Sequence, residues 1–167
     1  MNEKIQFGVD FISVCRLLLG NSKSMKYFPI VDQASFLFLT LWGFTNDEIN
    51  DVTSLFNKHQ KNDNDYHFQS VERLTDHLRK RSKESQYMLI KQLVTLGSLN
   101  SDATEEAANF MQIFMRKFDM RPSEYKAVAM QGFEIAEYLK MFANVYVSEF
   151  IKIEGDDYKN WILEGAK

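Results

Sequence analysis

FEIAEYLKMFANVYVSEFIKI, residues 133–153, is the stretch whose reading decides the fold. At 100° per residue, Ile135, Ala136, Leu139, Phe142, Ala143, Tyr146, Phe150 and Ile153 gather on one arc. Glu134, Glu137, Lys140, Asn144, Ser148, Glu149 and Lys152 lie on the opposite arc. That is the 3.6-residue period of an amphipathic helix. Phe133, Tyr138, Met141, Val145 and Ile151 share the polar arc and leave only a narrow polar stripe. A helix apolar over most of its circumference is packed on several sides. The spacing therefore predicts a long central helix in an all-α domain. At about 1.5 Å per residue such a helix is roughly 30 Å long, enough to cross a small domain. A membrane span is excluded by the charges at Glu134, Glu137, Lys140, Glu149 and Lys152, because a span needs about 20 predominantly apolar residues.

The 167 residues suit one domain with a core that folds without staples. The expected layout is an N-terminal helix and loop over 1–27, a helical core over 28–154 and a C-terminal helix or tail over 155–167. Fourteen Phe and eight Met supply large, adaptable side chains for gaps between irregularly packed helices. Two Pro and seven Gly are few, which favours helices over turn-rich sheets. A net charge of -3 and a pI near 5.6 argue against a dedicated nucleic-acid binder, whose phosphate contacts need concentrated Lys and Arg. Cys15 is the sole cysteine, so neither an internal disulfide nor a thiolate metal cluster is expected. MNEKIQFGVDF lacks the order of a signal peptide, and a cytoplasmic protein is expected.

Outward from that stretch, the chain reads as seven or eight helices with short connections. Ile5, Val9, Ile12, Cys15 and Leu19 mark a first helix, with Gly20 as its stop and Phe7, Phe11, Leu17 and Leu18 widening its apolar surface. Pro29 opens a second, running to about Trp42 and broken by Gly43. Thr45-Asn46-Asp47-Glu48 is a capping box, with Phe44 before it and Ile49, Val52, Leu55 and Phe56 as the buried stripe behind it. Residues 60–67 read as a polar loop. A fourth helix is expected over about Gln69–Arg81 and a fifth over about Lys83–Leu96. Gly97–Ser101 should divide the fifth from a sixth that starts near Asp102 or Thr104. Arg121-Pro122-Ser123-Glu124 opens the next, with Gly132 as a kink or divider before the central helix. Leu39-Thr40-Leu41 before Gly43, and Val94-Thr95-Leu96 before Gly97, hint at an internal pseudo-duplication.

Recognised chemistry is sparse. Neither a Glu-x-x-His pair nor His-Glu-x-x-His occurs, which removes di-iron bundles and zinc proteases. Asp63, Asp65 and His67 lie in one polar loop, but an EF-hand there has Phe68 for its Gly and Leu74 for its Glu. Gly20-Asn21-Ser22-Lys23-Ser24 lacks the glycines and the strand of a P-loop. Cys15 sits on an apolar face with no His near in sequence, which suits a buried thiol. No cofactor is expected and no catalytic residue is assigned.

Two charge clusters stand out. Arg73, Arg79, Lys80, Arg81 and Lys83 form a basic patch around a helix end. Glu48 and Asp51, with Glu105 and Glu106, sit near two helix starts and are the candidates for a divalent metal. Tyr138, Met141, Val145 and Ile151 form the candidate partner face.

Two helical halves, each with a Gly-terminated helix followed by an acidic capped one, resemble the TerB-like (tellurite-resistance) helical domains. Gly43, Thr45 and Glu48 match part of that family's repeated element, and Gly97, Ser101 and Glu105 match it more loosely over roughly Ile30–Tyr125. The family's Asp-Gly turn is replaced by Trp42-Gly43 and Leu96-Gly97, which weakens the metal binding that the resemblance implies. It otherwise implies a bacterial stress- or defence-associated interaction module, often membrane-adjacent, without established catalytic chemistry. The expected function is thus a non-enzymatic helical interaction or regulatory module that binds a protein partner or a second copy of itself. The alternative is a regulator responsive to a small ligand or a divalent metal, held in a pocket between aromatic-rich helices.

Overall fold

The computed structural model describes residues 2–19, 28–59, 64–99 and 104–143. These form α1 (Glu3–Leu19), α2 (Phe28–Leu41), α3 (Asn46–His59), α4 (Asn64–Arg79), α5 (Lys83–Leu99), α6 (Thr104–Lys117) and α7 (Pro122–Ala143). The all-α expectation holds. Among the described residues no helix is long and apolar enough to cross a membrane.

Among the described residues the middle of the structure belongs to α5 rather than to the helix containing Phe133, whose expected continuation over 144–153 lies outside them. From Met88 to Gly97 every residue of α5 is buried, Lys91, Gln92 and Thr95 included. It packs against α7, α6, α1, α2 and α4. Its polar residues hid this position, because they are absorbed inside. Thr95 Oγ1 donates to the Lys91 carbonyl at 2.7 Å and lies 3.2 Å from the Gly132 carbonyl. Gln86 Nε2 donates to the Leu78 carbonyl at 3.1 Å. Buried polar groups with partners lose most of the cost of leaving water.

Gly132 does not divide α7. The helix runs unbroken from Pro122 through it, with Pro122 at the first position, where a missing N–H costs nothing. A Cβ at Gly132 would sit 2.8 Å from the Lys91 carbonyl and from Val94. The glycine lets two backbones meet. Gly97 likewise lies inside α5 and does not end it, whereas Gly43 ends α2 at φ 91°. There the Gly43 N–H donates to Thr40 O and the Phe44 N–H to Leu39 O, at 3.0 and 3.1 Å. This is a Schellman turn, which needs a residue in the left-handed region. Asp119 makes the same turn after α6 at φ 50°, with the Asp119 and Met120 N–H groups bonded to Arg116 O and Met115 O. The fourth helix begins at Asn64, five residues before the expected start. Asn and Asp favour helix entry as much as loop.

α1 is the second hub and lies against α4 and α3. Asp10, 3% exposed, accepts from Arg73 Nε and NH2 of α4 at 3.1 and 2.8 Å, and from Gln6 Nε2 at 3.0 Å. Gly8 brings α1 onto α3, since a Cβ there would lie 2.5 Å from Val52. Phe11, Phe38, Phe114, Leu39, Leu74, Leu89 and Leu93 fill the core between the hubs.

Candidate functional site

The α2–α3 corner is built by local rules. The Schellman turn at Gly43 delivers the chain to the capping box. There the Glu48 N–H donates to Thr45 Oγ1 at 3.2 Å, and Glu48 Oε2 accepts from the Thr45 N–H at 2.8 Å. Both bonds are those read from the sequence. Lys4 of α1 closes the corner, with Nζ 2.8 Å from the Gly43 carbonyl, 2.8 Å from Glu48 Oε2 and 5.1 Å from the Phe44 ring centroid. Those contacts hold the Glu48 carboxyl below its ordinary range, the Lys4 bond foremost.

The start of α1, this corner and the end of α4 enclose a half-open cleft of about 390 Å³. Asn2, Glu3, Lys4, Phe7, Trp42, Phe44, His77 and Arg81 line it. Phe7 is the hub of its rings. Trp42 meets it edge-on at 5.2 Å, His77 tilts against it at 5.3 Å, and Phe44 stacks at 6.4 Å. Trp42 is fixed from behind, because its Nε1 donates to Gln92 Oε1 of buried α5 at 2.7 Å. The His77 imidazole is pushed below its ordinary value near 6.5, by burial first and by the Arg81 and Lys80 cations next; Glu3 opposes the shift. A neutral, ring-bearing wall results, with Glu3 and Arg81 exposed at its rim. A concave surface of this size with a few convergent polar groups is the form of a small-ligand site.

The residues singled out from the sequence do not converge here as a group. The basic patch divides. Arg73 turns inward to Asp10, Lys83 Nζ donates to the Phe118 carbonyl at 3.1 Å, and Arg79 lies 3.9 Å from Asp76. Lys80 and Arg81 are exposed, and Arg81 alone of the five lines the cleft. Among the acidic candidates, Glu48 is bound up in the corner and Asp51 is exposed. Glu105 and Glu106 lie in the first turn of α6, but their side chains fall outside the description. Among the described residues no group of three or more His, Cys, Asp or Glu is placed to hold a metal ion. Asp63, and the side chains of Asp65 and His67, fall outside that description. Of the partner-face residues, Tyr138 is half-buried on α7. Met141 is on α7 with its side chain outside the description, and Val145 and Ile151 lie outside the described residues.

Sequence reasoning missed the ring cluster. Phe7 reads as extra apolar surface, Trp42 as a helix end and Phe44 as the residue before a capping box. Bringing them to His77 requires the α1–α4 packing, which no local pattern encodes. The usable signal is α1 itself, where Phe7 and Phe11 lie off the Ile5–Val9–Ile12 stripe and so need a second surface to cover. Compared with known proteins, the chain matches no family model, no curated protein and no solved structure.

Proposed function

We propose that the chain is a non-enzymatic helical recognition module, regulatory in role, whose binding site is the cleft between α1, the α2–α3 corner and α4. One observation carries this reading. Three aromatic rings and a largely neutral imidazole surround an opening of about 390 Å³, and Trp42 is braced from the core. A braced wall loses little freedom on binding, so more of the contact energy appears as affinity. The TerB-like affinity and a stress- or defence-associated role in the cytoplasm belong to the same proposal. They are supported by the Gly43, Thr45 and Glu48 element, whose neighbours Trp42 and Phe44 line the cleft.

A second reading, association with a protein partner or a second copy through α7, is favoured by Met130 and Phe133. These are 54% and 48% exposed, and Phe133 borders a shallow apolar groove with Tyr125 and Met111.

Saturation-transfer NMR with a library of one- and two-ring compounds tests the first reading. Binders are expected with the unaltered chain, and Phe7→Ala should weaken them about tenfold or more, as loss of the central ring implies, while far-UV circular dichroism stays unchanged. Binders that ignore Phe7→Ala would move the site elsewhere, and a library without binders would sink the reading.

A further inference from the structure

The rim of the cleft carries two charges of opposite sign that its walls do not use. Lys4 and Glu48 satisfy each other at 2.8 Å. Glu3 and Arg81 line the same opening and are exposed, and neither side chain is in an ion pair or a hydrogen bond with another described residue. Both act on the imidazole of the same lining, since Arg81 disfavours protonation of His77 and Glu3 favours it. The wall below is apolar and flat-sided, with Phe7 at its centre.

We infer that the cleft takes an aromatic zwitterion, a one- or two-ring molecule carrying both an ammonium and a carboxylate, with the ring against Phe7, Trp42 and His77, the carboxylate on Arg81 and the ammonium on Glu3. Arg81 offers the planar fork that matches a carboxylate, and Glu3 is an acceptor-only group suited to an ammonium. The chemistry is that of a free aromatic amino acid. The proposal rests on the cleft being a binding site.

Three probes of one scaffold separate the parts: L-tryptophan with both charges, indole-3-propionate with the carboxylate alone, and tryptamine with the ammonium alone. Titration calorimetry on the full chain should rank tryptophan at least about fivefold tighter than either single-charge probe, the scale of one rim ion pair. Arg81→Gln should weaken tryptophan and indole-3-propionate and leave tryptamine unchanged. Glu3→Gln should weaken tryptophan and tryptamine and leave indole-3-propionate unchanged. Both residues are exposed, so the fold tolerates either change.

Indole-3-propionate matching tryptophan, with no effect of Glu3→Gln, would overturn the zwitterion in favour of an anion site. Tryptamine matching tryptophan would overturn it in the opposite sense. Should none of the three bind while library compounds still bind in a Phe7-dependent way, the ligand class falls and the recognition module stands. Should neither set bind, both fall. N-acetyl-tryptophan amide separates a free amino acid from a chain residue. It should bind as weakly as the worst probe, and equal binding would overturn the role of the charges.

Discussion

The seam between α5 and α7 and the cleft beside α1 are both places where helices approach closely, yet they are opposite in kind. At the seam a side chain is missing so that backbones can touch: Gly132 meets the Lys91 carbonyl and Val94 with no room for a Cβ. At the cleft, large rings cluster on Phe7 and leave about 390 Å³ open beside them. The seam joins α7 to the most buried helix of the structure, and the cleft lies at the ends of α1 and α4. Tight packing concentrates stability in the seam, and the open concave surface of the cleft gives up part of that local stability.

The largest effect that would break this contrast comes from the seam. Gly132→Ala should cost about 2–3 kcal/mol in denaturant unfolding, near the upper end for overpacking, because the obstructing atom is a backbone carbonyl that cannot swing away. A loss below about 0.5 kcal/mol would show that the seam has slack.

Lys91, 1% exposed on the same helix, tests the seam from another side. Burial lowers its pKa from 10.5 to about 8. Charging it in the folded state therefore carries a penalty of roughly 3 kcal/mol at neutral pH. Because the folded-state pKa of this base is depressed, the unfolded chain binds more protons between about 8 and 10.5, and stability should rise with pH over that window. Lys91→Met should raise stability by about 1–3 kcal/mol at pH 7, and the gain should shrink as pH climbs through the same window. A gain independent of pH would assign it to packing instead of charge.

The cleft gives the smallest effect. The His77 pKa is depressed below 6.5, so stability should be complete above that value and fall as pH drops below it. The fall should be modest, about 1 kcal/mol or less for a half-exposed ring. His77→Gln should flatten that part of the stability profile. An unchanged slope below pH 6.5 would place the titration elsewhere.

The parts of this structure that were legible in the sequence are those set by neighbours in the chain. The all-α class followed from periodicity. The Thr45–Glu48 box and the stop at Gly43 followed from residue types whose hydrogen bonds span three to five positions. Pro122 opened its helix for the same reason. What was not legible depends on contacts between distant residues. Gln86, Lys91, Gln92 and Thr95 give α5 the appearance of a half-solvated helix, and only their burial reveals the hub. Gly132 carries the same composition signal whether it breaks a helix or admits a neighbour. Arg73 looked like part of a basic surface until Asp10, 63 positions away, took its charge. Phe7, Trp42, Phe44 and His77 come from four separate places in the chain, and no spacing rule connects them.

The clasp of Lys4 on Gly43 and Glu48 gives the cleft a dependence on ionic strength. The first turn of a helix ordinarily frays at little cost, and the first turn of α1 is one wall of the opening. Beside the buried Ile5, that wall is held by a partly exposed ion pair, 40% exposed on the Lys4 side and 28% on the Glu48 side, which added salt weakens. Dilute buffer should therefore keep the wall closed against the α2–α3 corner, and concentrated salt should loosen it while leaving the α5–α7 seam untouched. The affinity of the proposed site would then report the salt around the protein as well as the ligand within it.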